Sequence, residues 1–288
     1  MLDRSPTPPI LASIAHLASG YHAWISDIWG VLHNGIARFP RASEACVTFR
    51  RSGGRIVLVT NAPKPAWFVE RMLDRLEVPR EAYDAIITSG DVTRDLIAPI
   101  AARGIYHLGP DYDRPIFEGL PVRFAAVEDA EVVVCSGLFD DDRETPADYA
   151  GMLDRLKARN LLMICVNPDL VVERGERIVY CAGALAEAYE KIGGRVAYAG
   201  KPHRAIYETA MRSLADLAGA QMPPDRILAI GDGIRTDMRG AATMGLDSLF
   251  IASQLHVPAG RTMDEALLGD LFKAEATKPV AAMSGLAW

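Results

Sequence analysis

Cysteine is scarce in this sequence: four residues in 288, Cys46, Cys135, Cys165 and Cys181, with no CxxC spacing among them. That spacing leaves out the common thiol redox motif, and flanks such as VVVCSG and LLMICVN mark these cysteines as reduced core residues of a cytoplasmic protein. There is no long basic run either. The formal charge of -6 is spread over both signs, which argues against nucleic acid as a partner. A spanning segment is also missing: MLDRSPTPPILASIAHLASG has three prolines ahead of a short, interrupted apolar stretch, matching neither a secretory signal nor a membrane helix. No internal repeat or low-complexity tract appears, although the last fifteen or so residues are Ala-rich and are expected to be loosely ordered.

What is present is globular: 50% hydrophobic and 24% charged, over a length that predicts two domains. Short apolar runs bounded by Gly, Pro, Asn or Asp alternate with amphipathic segments, which predicts β-α units on a parallel sheet. HAWISDI (22–28), RIVLVTN (55–61) and DAIITSG (84–90) are the first strands, and RVAYAGKP (195–202), RILAIGDG (226–233) and LDSLFIA continue the set. Between them GIYHLG, AEVVVCSG, LLMICVN and RIVYCAG form a set of their own, with helices over TPADYAGMLDRLKAR and ALAEAYEKIGG. The expected fold is α/β: a Rossmann-like parallel-sheet core from 1–90 plus 196–288, with a smaller α/β cap domain inserted at 91–195. One larger doubly wound domain is the alternative.

Ligands of open parallel sheets bind outside the carboxyl ends of the strands. Asp27, Thr60 with Asn61, Lys201 and Asp232 are placed at four such ends. Carboxylates suit Mg²⁺, and a lysine, a hydroxyl and loop N–H groups suit a phosphate. Each residue has a plainer reading. Asp27 could cap a turn, Thr60 and Asn61 could form one, and Lys201 could be a solvated end. Asp237 in GIRTDMRGA could be a first-turn acid after a Thr236 N-cap. Their joint occurrence in order at strand ends favours a site.

The stretches around these residues resemble the haloacid-dehalogenase-like (HAD) hydrolases, specifically the class IIA phosphatase group with an inserted α/β cap. DIWGVLHNG is similar to the first motif of that family, VLVTNAPK to the second, GKPHRAIY to the third and IGDGIRTDMRGAATMG to the fourth. VNPD (166–169) and CAGALAEAYEKIGG (181–194) resemble stretches of the cap, so the resemblance covers nearly the whole chain. It implies that Asp27 is a nucleophile forming an aspartyl-phosphate and ligating Mg²⁺, with Asp232 as second acidic ligand. Trp29 would give the metal only its backbone carbonyl, and Asp237 would orient the metal shell, with the helix-start reading still open. Thr60 and Asn61 would hold phosphate, and Lys201 would neutralise charge on phosphate and nucleophile. Asn167 and Asp169 would contact substrate or form an Asn-Pro-Asp turn, the substrate lying between core and cap.

The resemblance also implies an aspartate where Trp29 stands, protonating the leaving oxygen and then activating water. Indole does neither. His33 and His203 are weak substitutes: a lone loop histidine is more often solvated, and His203 is placed to open the next helix. The expected protein is therefore a Mg²⁺-dependent phosphatase-type hydrolase of a small phosphorylated metabolite, whether a sugar, nucleotide or aryl phosphate, slowed by Trp29. A non-catalytic module binding a phosphorylated ligand is one alternative. Carbon–halogen displacement is another, though it has no need of a metal and phosphate site built on Asp232 and Lys201. No membrane or nucleic-acid partner is expected, and relatives that pair through their caps leave room for a homodimer.

Overall fold

Val- and Ile-rich runs become strands here wherever turn-forming residues bound them. The computed structural model describes residues 7–174, 177–253, 256–257 and 261–288; the first six residues of the Pro-containing N-terminal stretch lie outside the described residues. In chain order the strands are β1 (Ala23–Ser26), β2 (Arg55–Thr60), β3 (Ala85–Thr88), β4 (Gly104–Leu108), β5 (Arg123–Phe124), β6 (Val132–Cys135), β7 (Leu162–Cys165), β8 (Val171–Arg174), β9 (Arg177–Tyr180), β10 (Arg195–Tyr198), β11 (Ile227–Gly231), β12 (Asp247–Ile251) and β13 (Ala281–Met283).

The chain divides into two compact units, Met1–Thr60 with Glu70–Ile87 and Tyr207–Trp288, and Asn61–Val69 with Thr88–Ile206. The first carries a six-stranded sheet in the order β13-β12-β11-β1-β2-β3. β1 is parallel to both neighbours, with Ser26 opposite Ile230 and Leu58. Flanked on both sides, its four residues are all buried, and Trp24 stacks on Phe49 at 4.0 Å between ring centroids. Phe49 belongs to the helix Pro40–Arg51, which opens on a proline whose missing N–H costs nothing at that position. This helix buries Ala42, Ala45, Cys46 and Phe49, the i, i+3, i+4, i+7 stripe of a core-facing helix.

The second unit holds a five-stranded sheet, β10-β7-β6-β4-β5, and a two-stranded ribbon, β8-β9. The strands of the five-stranded sheet pair in parallel. Alternate residues serve two cores. Val133, Cys135, Met163 and Cys165 pack with Leu153, Leu156, Leu185 and Tyr189, whereas Val132, Val134 and Ile164 pack with Ile97, Ile105 and Ile116. The four cysteines are buried and form no disulfide, and burial pushes the Cys46 and Cys135 thiols up to about 12. No helix among the described residues is long and apolar enough to cross a membrane.

Three expectations are corrected. RVAYAGKP supplies β10, which pairs with β7 and not with the first sheet, so Lys201 groups with the second unit. RIVYCAG supplies β9, antiparallel to β8 in the ribbon and outside the five-stranded sheet. The Ala-rich tail is ordered: β13 extends the first sheet beside β12, and Leu286 and Ala287 are buried. Composition misleads there because the tail is fixed by backbone pairing. The Ala282 N–H bonds the Pro9 carbonyl at 2.9 Å, and the Leu11 N–H bonds the Ala282 carbonyl at 2.8 Å.

The substitution Ala282→Pro removes the N–H that bonds Pro9. It is expected to lower the free energy of unfolding by about 1–3 kcal/mol, measured as a lower urea midpoint at unchanged slope. An unchanged midpoint would mean that the tail contributes nothing to the fold.

Candidate active site

In the first unit the parallel strands deliver their carboxyl ends to one edge of the sheet. The register that sets Ser26 between Leu58 and Ile230 carries Asp27, Thr60 and Asp232 to that edge. The Asp27 N–H extends the β1–β11 ladder to the Ile230 carbonyl at 2.8 Å, and its Oδ1 accepts the Ile28 N–H at 2.7 Å. Asp232 directly follows β11, and the chain then turns through a single π-helical turn, Ile234–Met238. This turn brings Asp237 back towards the strand ends. Gly233, and not Thr236, holds the N-cap position, so the Thr236-cap reading of Asp237 is corrected; the Asp237 carboxylate accepts the Gly233 N–H at 3.0 Å.

One ligand oxygen each from Asp27, Asp232 and Asp237 lies within 4.8 Å of the others. Asp27 and Asp237 are buried and Asp232 is half-buried. The close approach depends on Gly30, at φ +78°, where a Cβ would overlap the Asp232 carboxylate. Three carboxylates this close repel one another in a partly desolvated setting, and a shared cation removes the repulsion. An octahedral Mg²⁺ with ligands at about 2.1 Å separates its oxygens by roughly 3–4 Å. The donor set, hard oxygens with room for water beside half-buried Asp232, fits that ion.

Trp29 is half-buried and meets the His33 ring at 5.1 Å and 74°. His33 corrects the expectation of a solvated side chain. It is fully buried, and its Nδ1 accepts the Gly35 N–H at 2.9 Å. The proton of the neutral ring therefore sits on Nε2, which has no partner. Desolvation lowers the His33 pKa to about 4, so near neutral pH the ring is uncharged and its basic nitrogen is occupied. His203 lies just before the helix Arg204–Ala218 as expected, stacked on Tyr198 at 4.4 Å, with burial lowering its pKa.

The remaining candidates meet in the second unit. The Asn61 Oδ1 accepts the Lys201 backbone N–H at 2.7 Å, and its Nδ2 donates to the Lys201 carbonyl at 3.2 Å and to Asp169 Oδ1 at 3.0 Å. The Asn167 Oδ1 accepts the Asp169 N–H at 3.0 Å. Asn167 and Asp169 thus form the turn of the plainer reading, and Asp169 also bonds Asn61. A second polar group went unnoticed in the sequence. Lys64 pairs with buried Asp113 at 2.7 Å and lies over the Phe68 and Tyr112 rings. Asp113 accepts a hydrogen bond from Ser136, whose hydroxyl is 2.9 Å from His107 Nε2, and desolvation raises the Asp113 pKa against the pull of Lys64. Lys64 ends the VLVTNAPK stretch, but nothing around Asp113 in DYDRPIF marks its burial.

Mg²⁺ is expected to stabilise the protein by RT ln(1 + [Mg²⁺]/Kd), about 2.7 kcal/mol at a hundredfold excess over Kd. Asp232→Asn should abolish this gain in thermal unfolding. In chelator the same variant should be no less stable than the parent, because it removes one of three mutually repelling charges. A Mg²⁺ shift of parental size in the variant would rule out the trio as the ion's site.

Residues 24–122 match the family model described as haloacid dehalogenase-like hydrolase, and residues 198–272 match one described as HAD-hydrolase-like. The crystal structure of a hydrolase of the haloacid dehalogenase-like family from Brucella suis 1330 is 44% identical, covers 96% of this chain and 99% of its own, and superposes with a TM-score of 0.85. Among curated proteins, the ribonucleotide monophosphatase NagD of Escherichia coli K12 is 26% identical over 235 residues, 80% of this chain and 86% of NagD. The 5'-nucleotidase YutF of Bacillus subtilis 168 is 24% identical over 235 residues, 80% of this chain and 87% of YutF. With the acid trio at the strand ends and a relative this similar over nearly its full length, the chain belongs to the haloacid dehalogenase-like hydrolases, and it resembles their class IIA phosphatase group.

Proposed function

We propose that the protein is a Mg²⁺-dependent phosphatase of a small phosphorylated metabolite, working through an aspartyl-phosphate on Asp27 and slowed by Trp29. The observation that carries this reading is the carboxylate trio of Asp27, Asp232 and Asp237 within 4.8 Å. Asp27, Asp232, Asp237 and the Trp29 carbonyl would hold the ion, which when bound neutralises phosphate charge and fixes its oxygens. The names of NagD and YutF, a ribonucleotide monophosphatase and a 5'-nucleotidase, support a phosphoric monoester as substrate.

In this mechanism the Asp27 carboxylate attacks phosphorus, the P–O bond to the leaving group breaks, and its electron pair departs with that oxygen. The Thr60 hydroxyl and the Asn61 backbone N–H donate to the phosphate oxygens, the Asn61 amide being spent on Lys201 and Asp169, and Lys201 lowers the charge repulsion between nucleophile and phosphate. Asn167 and Asp169 orient the substrate. Water then hydrolyses the acyl phosphate, returning Asp27 and releasing phosphate. No loop residue after β1 moves protons in either step, because the Trp29 indole does not ionise and His33 is buried and neutral. Loss of a positioned acid–base forfeits about 10²–10⁴ in rate. We assign the segment from β4 to β10, with its five-stranded sheet and ribbon, to a cap, place the protein in the cytoplasm on its buried thiols, and leave nucleic acid aside as a substrate.

Asp27→Asn should abolish Mg²⁺-dependent release of phosphate from an activated aryl phosphate. Trp29→Asp should raise turnover of alkyl phosphates on the order of 10²-fold and flatten the dependence of rate on leaving-group basicity. Absence of release by the parent protein, with phosphate binding intact, would favour the non-catalytic binding module. Release of halide in place of phosphate would favour carbon–halogen displacement.

A further inference from the structure

We propose that Trp29 chooses the leaving group and that its choice is a planar aromatic one, making an aryl phosphate the preferred substrate; this rests on the phosphatase reading above. The indole stands two residues beyond Asp27, and its own loop holds it still. Its benzo rim, at Cη2 and Cζ2, occupies the space into which a Cβ on Gly35 would project, and Gly35 sits at φ +86°, so a side chain there would displace the ring. The His33 imidazole supports it at 5.1 Å. His33 is itself anchored: its carbonyl accepts the Gly30 N–H at 2.8 Å, its Nδ1 accepts the Gly35 N–H at 2.9 Å, and its ring is buried. The rotamer freedom that a large aromatic side chain loses on binding a ligand is here already lost on folding.

Two properties of this rigid indole restrict what it can serve. The residue is half-buried, so part of its surface meets solvent, and Ile36 on the same loop is 73% exposed. Its N–H makes no hydrogen bond to protein among the described residues. That N–H can donate to a departing oxygen but cannot protonate it. The electron pair of the broken P–O bond must therefore leave on an oxygen that is stable as an anion, which takes its proton later from solvent. An alkoxide fails this requirement, whereas a phenolate or a carboxylate meets it. Of the last two, only the phenolate has a ring to pack against the indole in an offset or edge-on geometry. Charge stability and surface complementarity coincide in the aryl phosphates.

The probes are 1-naphthyl phosphate, acetyl phosphate and inorganic phosphate, with the full chain in Mg²⁺. Trp29→Leu keeps the backbone carbonyl and removes the aromatic surface. It should raise KM for naphthyl phosphate on the order of tenfold relative to KM for acetyl phosphate. Gly35→Ala, which displaces the indole without replacing it, should move the same ratio in the same direction. An equal change for both probes would overturn the proposal. In the parent protein, magnetisation transfer between the indole N–H and the naphthyl protons gives a reading independent of any variant, and its absence counts against the proposal. If neither compound releases phosphate while calorimetry still shows tighter binding of naphthyl phosphate than of inorganic phosphate, the phosphatase reading falls, the leaving-group choice falls with it, and only the aromatic contact of Trp29 stands. Release from both compounds without a Trp29-dependent ratio removes this inference alone.

Discussion

The repulsion among Asp27, Asp232 and Asp237 is the constraint on which the first unit is organised. Oxygens within 4.8 Å of one another, two of the three residues buried, repel unless donors or a cation offset their charge. The donors are supplied locally, by the Ile28 N–H to Asp27 and the Gly233 N–H to Asp237. The geometry comes from the sheet. β1 lies between β11 and β2, all parallel, so Asp27 and Asp232 leave adjacent strands at the same edge. A π-helical turn then returns Asp237 to the group, and Gly30 leaves room for the Asp232 carboxylate.

Beside this charged cluster the loop from Trp29 to Gly35 is built without a group that titrates near neutral pH. His33 carries the loop's hydrogen bonds, and burial lowers its pKa to about 4. An unpartnered Nε2–H inside the protein costs stability. The loop retains it because the same ring fixes Gly35 and supports the indole of Trp29. On the reading proposed above, the site joins strong means of holding charge to weak means of moving protons, and a rigid indole would give that weakness a use in choosing the substrate.

In the second unit Asn61 has a comparable organising role. Its amide satisfies both backbone groups of Lys201 and holds Asp169. Three residues on, Lys64 is tied to Asp113, within a chain of polar contacts through Ser136 to His107. Burial of Asp113 opposes its ionisation, so the pair is a weak source of stability. Its effect is geometric: it fixes the segment that carries Asn61.

The alternation of apolar runs with amphipathic segments was enough to locate most strands, because in-plane pairing and burial on both faces demand Val- and Ile-rich stretches bounded by turn formers. Residue chemistry at strand ends was enough to single out Asp27 and Asp232, whereas Asp237, inside a turn, was singled out only by the resemblance of its stretch to the fourth motif. Sheet membership was not legible. β10 has the same local pattern whether it pairs with β7 or with a strand of the other sheet, and only long-range packing distinguishes them. The tail was misread for a related reason: alanine carries no strand signal, and β13 exists because its N–H and C=O groups meet Pro9, Leu11 and β12. Burial of His33 and Asp113 also lay beyond the sequence, because a polar side chain shows nothing of the neighbours that remove its water. The sequence by itself determined which chemical groups this protein has and their order along the chain. The tertiary structure alone decided which of them share a space, because that depends on contacts between residues more than two hundred positions apart, as between Asp27 and Asp237.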